Sequence, residues 1–403
     1  MHNRTIKNAA WIIGCRIIQS GLALAITMLS ARYLGPSGYG LINYAASLVA
    51  FFVPIMQLGL NSTLVQEIIS APEHEGETLG TALAMTFVSS IACVIGITAV
   101  AAFLNKGETT TIIVCALYSV LLVSQSMEMV QYWFQAKLLS KYTAVTILVA
   151  YIIVSAYRIA LLMTGSSIYW YAISQALDYA IIAVVLLIIY GRLSGNKLKV
   201  SMKRAASMLG RSKHYILSSM MITVFAQTDR IMLKLMMNED AVGYYSAAAA
   251  CATLTAFVFV AIIDSARPSI LESKQRSNEE FQRGVKTLYA VIIALALLQS
   301  AFIAVLAKPV IWILYGTEYG TSVNALRIVV WFSTFSYLGA VRDVWILAEK
   351  KQKYLWIINM SGAAANVILN AILIPIWGVN GAAAASLVTQ FFTNVVMGWI
   401  IRP

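Results

Sequence analysis

Apolar residues in this chain come in blocks of about 20, the length needed to cross a ~30 Å hydrocarbon layer as helix. Short stretches rich in Gly, Pro and charge separate them. The blocks lie near 9–31, 41–62, 79–103, 111–134, 143–163 and 168–190, and a second set lies near 213–237, 243–266, 286–306, 323–347, 354–375 and 380–401. They do not alternate apolar with polar positions as barrel strands do, and unpaired backbone polar groups are too costly in lipid for irregular chain to span it. The pattern predicts an all-α integral membrane protein with about 12 transmembrane helices in two six-helix lobes.

Composition agrees with this pattern. The 403 residues are 60% hydrophobic and 11% charged, with a mean hydropathy of +0.77, whereas soluble domains carry roughly 25% charged residues. The polar, basic opening and the long apolar stretch after it do not fit a short signal peptide ending at a small-residue cleavage site, so the first helix is expected to stay in the mature protein. Cys15, Cys93, Cys115 and Cys251 sit singly inside apolar runs, without the spacing of a metal or redox centre, and read as small core residues. No metal and no cofactor is expected.

The net charge of +12 is explained by topology. Alternate connections hold Arg4, Lys7, Lys137, Lys141, the cluster from Arg192 to Lys213, Arg267, Lys274, Arg276, Arg283, Lys286, Lys350, Lys351, Lys353 and Arg402; the opposite ones hold Arg32, Lys106 and Lys308. About twenty basic residues against three place both termini in the cytoplasm, and nucleic acid is not the expected partner. The acidic stretch 67–77 falls on the same side, where acids weigh little.

The longest basic connection divides the blocks six and six, giving an N-lobe at 1–190, a basic linker at 191–212 and a C-lobe at 213–403. Gly38-Tyr39 follows the first block as Gly243-Tyr244 follows the seventh, which marks either an internal repeat or two unrelated tight turns. A repeat of six spans sets the pseudo-twofold along the membrane normal, an arrangement in which substrate binds between rocking lobes.

Ionisable residues inside spans cost several kcal/mol each and normally face a bundle interior or a wet cavity. Arg16, Glu128, Arg158, Asp178, Asp229, Arg230 and Lys234 are of this kind; Asp264, Arg342 and Asp343 lie nearer span ends, within snorkelling reach of the interface. Arg230 and Lys234 share a helical face and would repel each other unless water or an anion sits there, or unless both reach out to headgroups. Arg16 is either a cavity cation or half of a structural ion pair, and Arg158 and Asp178 could neutralise each other. Cations facing a low-dielectric cavity suit an anionic headgroup such as pyrophosphate. The aromatic groups Tyr132-Trp133-Phe134, Tyr169-Trp170-Tyr171 and Trp312, Tyr315 and Tyr319 read mainly as interfacial belt, with some able to stack on sugars. The small residues of 378–385 allow close helix packing.

Several segments resemble the polysaccharide-biosynthesis flippases of the Wzx type, within the multidrug/oligosaccharidyl-lipid/polysaccharide exporter superfamily. They are Ala31-Arg32-Tyr33-Leu34-Gly35-Pro36-Ser37-Gly38-Tyr39-Gly40, Gln57-Leu58-Gly59-Leu60, Thr228-Asp229-Arg230 with Val242-Gly243-Tyr244-Tyr245, Arg267-Pro268, Lys308-Pro309 through Leu314-Tyr315-Gly316-Thr317-Glu318-Tyr319, and 378–385. The resemblance implies a MATE-like fold that exports undecaprenyl-pyrophosphate-linked oligosaccharide across the bacterial inner membrane for O-antigen, capsule or exopolysaccharide. It also implies a coupling ion, H+ or Na+, and contact with other polysaccharide assembly proteins. By position, Arg16 and Arg230 match the substrate-binding cations and Asp229 the coupling acid; Lys234 and Arg158 join the cations, and Asp178 the acids, on their depth in the spans alone. Fourteen-span relatives have two more helices than this chain has room for.

Lipid II flipping and multidrug export are the alternatives within the superfamily, although a cationic drug favours an acidic cavity. A membrane polymerase or glycosyltransferase would need a sizeable outward loop bearing acids, bases or metal ligands, and the outward loops are short. His2, His74 and His214 are scattered, and there is no GxGxxG, P-loop or metal spacing. A transporter is therefore expected, not an enzyme.

Overall fold

The structure, a computed structural model, describes residues 2–194, 196–351 and 353–401, with side chains from Gly14 onward except at 16, 17, 400 and 401. All regular structure among the described residues is helical. The first two apolar blocks share one helix, α1 (His2–Gln57), broken at Gly35 (φ 66, ψ 177). Pro36 disfavours helical backbone at the residue before it, and glycine takes the positive φ without a Cβ clash. A short α2 (Leu64–Ser70) precedes α3 (Glu75–Leu104). The fourth block is broken into α4 (Thr109–Ser119), α5 (Leu121–Met127) and α6 (Gln131–Ala136), with a 3-10 turn at Glu128–Val130. The fifth and sixth blocks are α7 (Ser140–Met163) and α8 (Ile168–Leu193).

The second set begins with α9 (Met202–Met236), followed by α10 (Glu239–Ala252) and α11 (Ala256–Arg276), which are bent by 43°. Then come α12 (Asn278–Val305), α13 (Ala307–Leu314), α14 (Ser322–Ala348), α15 (Lys353–Trp377), α16 (Val379–Phe391) and α17 (Met397–Ile401), the last two joined by a π-helical turn at Phe392–Val396. Among the described residues, seven helices are long and apolar enough to cross a membrane, or eight with the α10–α11 pair. Helices α9, α14 and α16 carry the remaining blocks and are more polar, holding among others Asp229, Arg342 and Gln390.

Two compact units emerge, residues 1–34 with 44–223 and residues 35–43 with 224–403. These limits differ from the expected 1–190, 191–212 and 213–403 for physical reasons. The connection after α8 is tied to unit 1: Asn196 donates to Glu75 at 2.9 Å, the Lys199 amide to the Gly76 carbonyl at 3.2 Å, and Arg204 to Thr78 at 2.9 Å. Residues 35–43 join unit 2 through glycine, since a Cβ at Gly40 would collide with the Glu239 carbonyl and one at Gly243 with the Pro36 carbonyl.

Each unit packs its helices in the same order. In unit 1, α3 lies against α4 and α5, and α8 against α5 and α7; in unit 2, α12 lies against α14, and α16 against α14 and α15. The connections match as well. Gly107 (φ 88), Leu138 (φ 56) and Gly165 (φ 66) recur as Gly316 (φ 98), Lys350 (φ 56) and Gly378 (φ 58). Three left-handed residues at matching loops favour the internal repeat over two coincidental turns. Lipid-facing stripes are explicit at helical spacing: Leu298, Phe302 and Val305 on α12, and Ile368, Ile372 and Ile376 on α15, are all exposed.

Candidate functional site

Asp229 lies on α9 within unit 2, 5% exposed, and its partners come from three other helices. Its Oδ2 accepts from the hydroxyls of Tyr245 (α10) and Ser386 (α16), and its Oδ1 from the amides of Asn366 at 3.1 Å and Asn370 at 2.6 Å, both on α15. The Tyr245 and Ser386 oxygens lie 2.9 Å apart, so either hydroxyl can give its proton to the other in place of the carboxylate. All four partners are buried and neutral. Asn366 and Asn370 reach the same carboxylate because residues four apart share a helix face.

One polar atom here has no partner: Asn370 Oδ1 is buried without a hydrogen bond. Turning that amide, or the hydroxyl protons of Tyr245 and Ser386, would aim further oxygens at the carboxylate. A single carboxylate among neutral oxygens suits a hard monovalent cation or a proton, not a transition metal, which prefers imidazole or thiolate. Among the described residues no group of three His, Cys, Asp or Glu side chains could hold a metal ion.

Arg230, the next residue, is half-buried and turned elsewhere. Its Nε donates to Ser246 at 3.1 Å and its Nη1 to Gln227 at 2.8 Å, and the guanidinium lies 6.0 Å from the Tyr245 ring. The repulsion expected between Arg230 and Lys234 is relieved, because Lys234 is buried with its Nζ 3.2 Å from Glu239.

In unit 1, Arg158 on α7 donates from Nε to Ser174 at 3.0 Å and from Nη2 to Gln175, both on α8. Asp178 lies on α8 a turn further on, with Oδ1 buried and lacking a hydrogen-bond partner. Glu128 is buried in the 3-10 turn. Arg16 lies outside the residues whose side chains are described.

Two expectations are corrected. Trp133, Phe134, Tyr171, Tyr315 and Tyr319 are not belt residues but lie buried, Trp133 and Phe134 in the unit 1 core against Tyr190 and Tyr142. Arg342 does not snorkel; it is buried, held by Asp343 at 2.9 Å and by the Thr393 carbonyl at 2.8 Å. Charge at membrane depth points to Asp229 but not to its neutral partners Tyr245, Asn366, Asn370 and Ser386. Two asparagines four apart inside the apolar block 354–375 were the available signal.

Two helical units with one packing order, apolar stripes on their surfaces and ionised groups at depth define an all-α, multi-pass membrane protein with a transporter fold. Solved structures agree at the level of fold. An inward-facing multidrug resistance MATE family transporter of the MOP superfamily matches with a TM-score of 0.71 and 14% identity, over 95% of this chain and 93% of that one. The eukaryotic MATE transporter AtDTX14 matches with a TM-score of 0.67 and 15% identity, over 99% and 95%. The lipid II flippase MurJ, in an inward closed conformation, matches with a TM-score of 0.67 and 14% identity, over 97% and 87%. No curated protein sequence matches. The family model described as polysaccharide biosynthesis protein matches residues 5–274, and the chain belongs to that family.

Proposed function

We propose that this protein is a secondary transporter, not an enzyme, that flips polyprenyl-pyrophosphate-linked oligosaccharide from the inner to the outer leaflet of a bacterial inner membrane, with both termini cytoplasmic. Family membership supports the polysaccharide role, and the MATE and MurJ folds support alternating access. The observation that carries ion coupling is the Asp229 carboxylate, enclosed by four neutral donors with one amide oxygen left over. The Tyr245 and Ser386 oxygens, once their protons turn away from the carboxylate, and the unpartnered Asn370 Oδ1 would complete an oxygen shell that suits Na+ as the coupling ion. A cation there biases the two access states only if it binds them with different affinity. Arg230 and Arg158, half-buried and bonded only to neutral groups in the hydrogen bonds above, keep a net positive charge for the pyrophosphate, and Arg16 is a third cation by position. Lys234, matched by Glu239, contributes less.

The test is a flipping assay in proteoliposomes with a fluorescent polyprenyl-pyrophosphate glycan, run with and without a sodium gradient. Asp229→Asn should abolish the sodium dependence and Arg230→Gln should slow flipping about tenfold, the scale of one charge-assisted contact of ~1.5–3 kcal/mol. Unchanged rates in both variants would remove this reading.

A further inference from the structure

Unit 2 holds a second polar region, apart from Asp229. A cavity of about 270 Å³ is walled by α9, α14, α15, α16 and the π-helical turn, and its rim carries Asn359, Gln390 and Asn394 with the Arg342–Asp343 pair. We infer that this cavity is a sugar subsite that takes one neutral pyranose ring of the transported glycan. The inference rests on the proposed function and deepens it.

Glycine lets the walls of the cavity approach each other closely. A Cβ at Gly339 would collide with the Asn394 amide, and one at Gly362 would come within 2.6 Å of Thr393 Cγ2 and 3.7 Å of the Phe225 ring. The π-helical turn at Phe392–Val396 places Thr393 and Asn394 at the cavity wall, and the Thr393 carbonyl takes a hydrogen bond from Arg342. Such turns within α-helices cluster at functional sites.

The chemistry selects the ligand. Asp343 neutralises Arg342, so the rim offers little to a phosphate, whereas a guanidinium–carboxylate pair and amides supply paired donors and acceptors that match vicinal hydroxyls. Three N–H bonds of Arg342 are used within the protein, out of five on a guanidinium. Asn394 donates to Gln390, but among the described residues neither Asn359 nor Ser336, which also lines the cavity, has a hydrogen-bond partner. Phe225 adds an apolar wall for the C–H face of a ring. The volume sits just below the ~300–1,000 Å³ of drug-sized pockets, which fits one sugar residue and excludes a whole repeat unit.

A cavity of about 240 Å³ also lies in unit 1, and two of its lining residues, Gln131 and Ile147, stand in the register of Asp343 and Asn359. Unit 2 adds the ion pair, the π-helical turn and the two glycines.

Saturation-transfer difference NMR on the full chain in nanodiscs tests this, with methyl glucoside, methyl galactoside, methyl rhamnoside and methyl N-acetylglucosaminide as probes. At least one glycoside should give saturable signals that weaken about tenfold in the rim variant Asn359→Leu, and also in Gly362→Val, whose added side chain meets Thr393 Cγ2 and displaces the cavity wall. Signals from none of the four, or equal signals from wild type and Asn359→Leu, overturn the subsite. In vesicles, the ratio of flipping rates for a sugar-bearing carrier over the bare polyprenyl pyrophosphate should fall about tenfold in Asn359→Leu, and an unchanged ratio also overturns it. Wild type that moves neither carrier sinks the proposed function instead, and the NMR signals still report on the cavity.

Discussion

Replacing Asp229 by Asn and by Leu separates a site built around a charge from one built around shape. Charge-assisted hydrogen bonds contribute ~1.5–3 kcal/mol each and neutral ones ~0.5–1.5, so Asp229→Asn weakens the two bonds its oxygen keeps from Asn366 and Asn370 by about 1 kcal/mol apiece, while its NH2 group donates to Tyr245 and Ser386, whose hydroxyls turn to accept at a similar loss. The substitution also removes the desolvation of a buried carboxylate, which opposes folding by several kcal/mol. The two terms nearly cancel, and Asp229→Asn should melt within a few degrees of wild type in sodium-free buffer. Asp229→Leu is different. Tyr245 and Ser386 keep each other and Asn370 keeps the Asn366 carbonyl, but the Asn366 amide loses its acceptor. One orphaned buried donor costs ~1–3 kcal/mol, which places Asp229→Leu clearly below Asp229→Asn. A bound cation adds RT ln(1 + [L]/Kd), ~2.7 kcal/mol at a hundredfold excess over Kd, in wild type alone. Thermal melts in detergent, in sodium chloride and in choline chloride, read all three variants. The reasoning fails if sodium stabilises wild type and Asp229→Asn equally, or if Asp229→Leu melts with wild type.

Four further outcomes are expected. Asp178→Asn should leave the sodium-dependent shift in melting temperature intact, because Asp178 belongs to unit 1 and shares no partner with Asp229; loss of the shift would move the ion site. Gly243→Ala should lower the yield of monodisperse protein and cost ~1–3 kcal/mol, since the added methyl meets the Pro36 carbonyl, and size-exclusion profiles report it. Lys234→Met should destabilise by leaving Glu239 without its partner, and adding Glu239→Gln should recover about 1 kcal/mol in a double-mutant cycle of melting temperatures. At Glu67, outside the spans, burial pushes the carboxyl above its usual range although Arg211 and Arg204 pull it back. The folded chain then holds that proton more tightly than the unfolded one, so this contribution is present below the ordinary carboxylate range and fades as pH rises through the raised value. Glu67→Gln should flatten that slope in melts taken as pH rises from the ordinary carboxylate range.

The apolar blocks were legible because span length is set by bilayer thickness, and each block lies on the helices found. The break at Gly35 was written in the Gly-Pro pair, but the assignment of residues 35–43 to unit 2 was not, since it depends on which backbone Gly40 and Gly243 approach. At the site, Asp229 stood out because a charge in a span is costly, while Tyr245 and Ser386 carried no such mark and Asn366 and Asn370 only the weaker one of two amides four apart in an apolar block. The fate of Lys234 and Arg342 was hidden for the opposite reason. A cation can be matched by Glu239 across a turn or by a carbonyl freed in a π-helical turn, and neither pairing is encoded in spacing along one helix.

The matching left-handed loops also explain why the two units differ in sign. The offset that relates Leu138 to Lys350 relates Arg158 to Asn370 and Ser174 to Ser386. At one register, unit 1 puts a guanidinium on its serine, and unit 2 puts an amide that, with its serine, holds a carboxylate. A guanidinium tied to the chain cannot leave. A carboxylate among neutral oxygens can lose and regain a cation, so at this register unit 2 alone carries the group that the proposed ion coupling needs, and only differential affinity for the states would make it act. Duplication followed by a change of charge thus yields one fixed cation for the substrate side of the proposed cycle and one exchangeable site for its driving force.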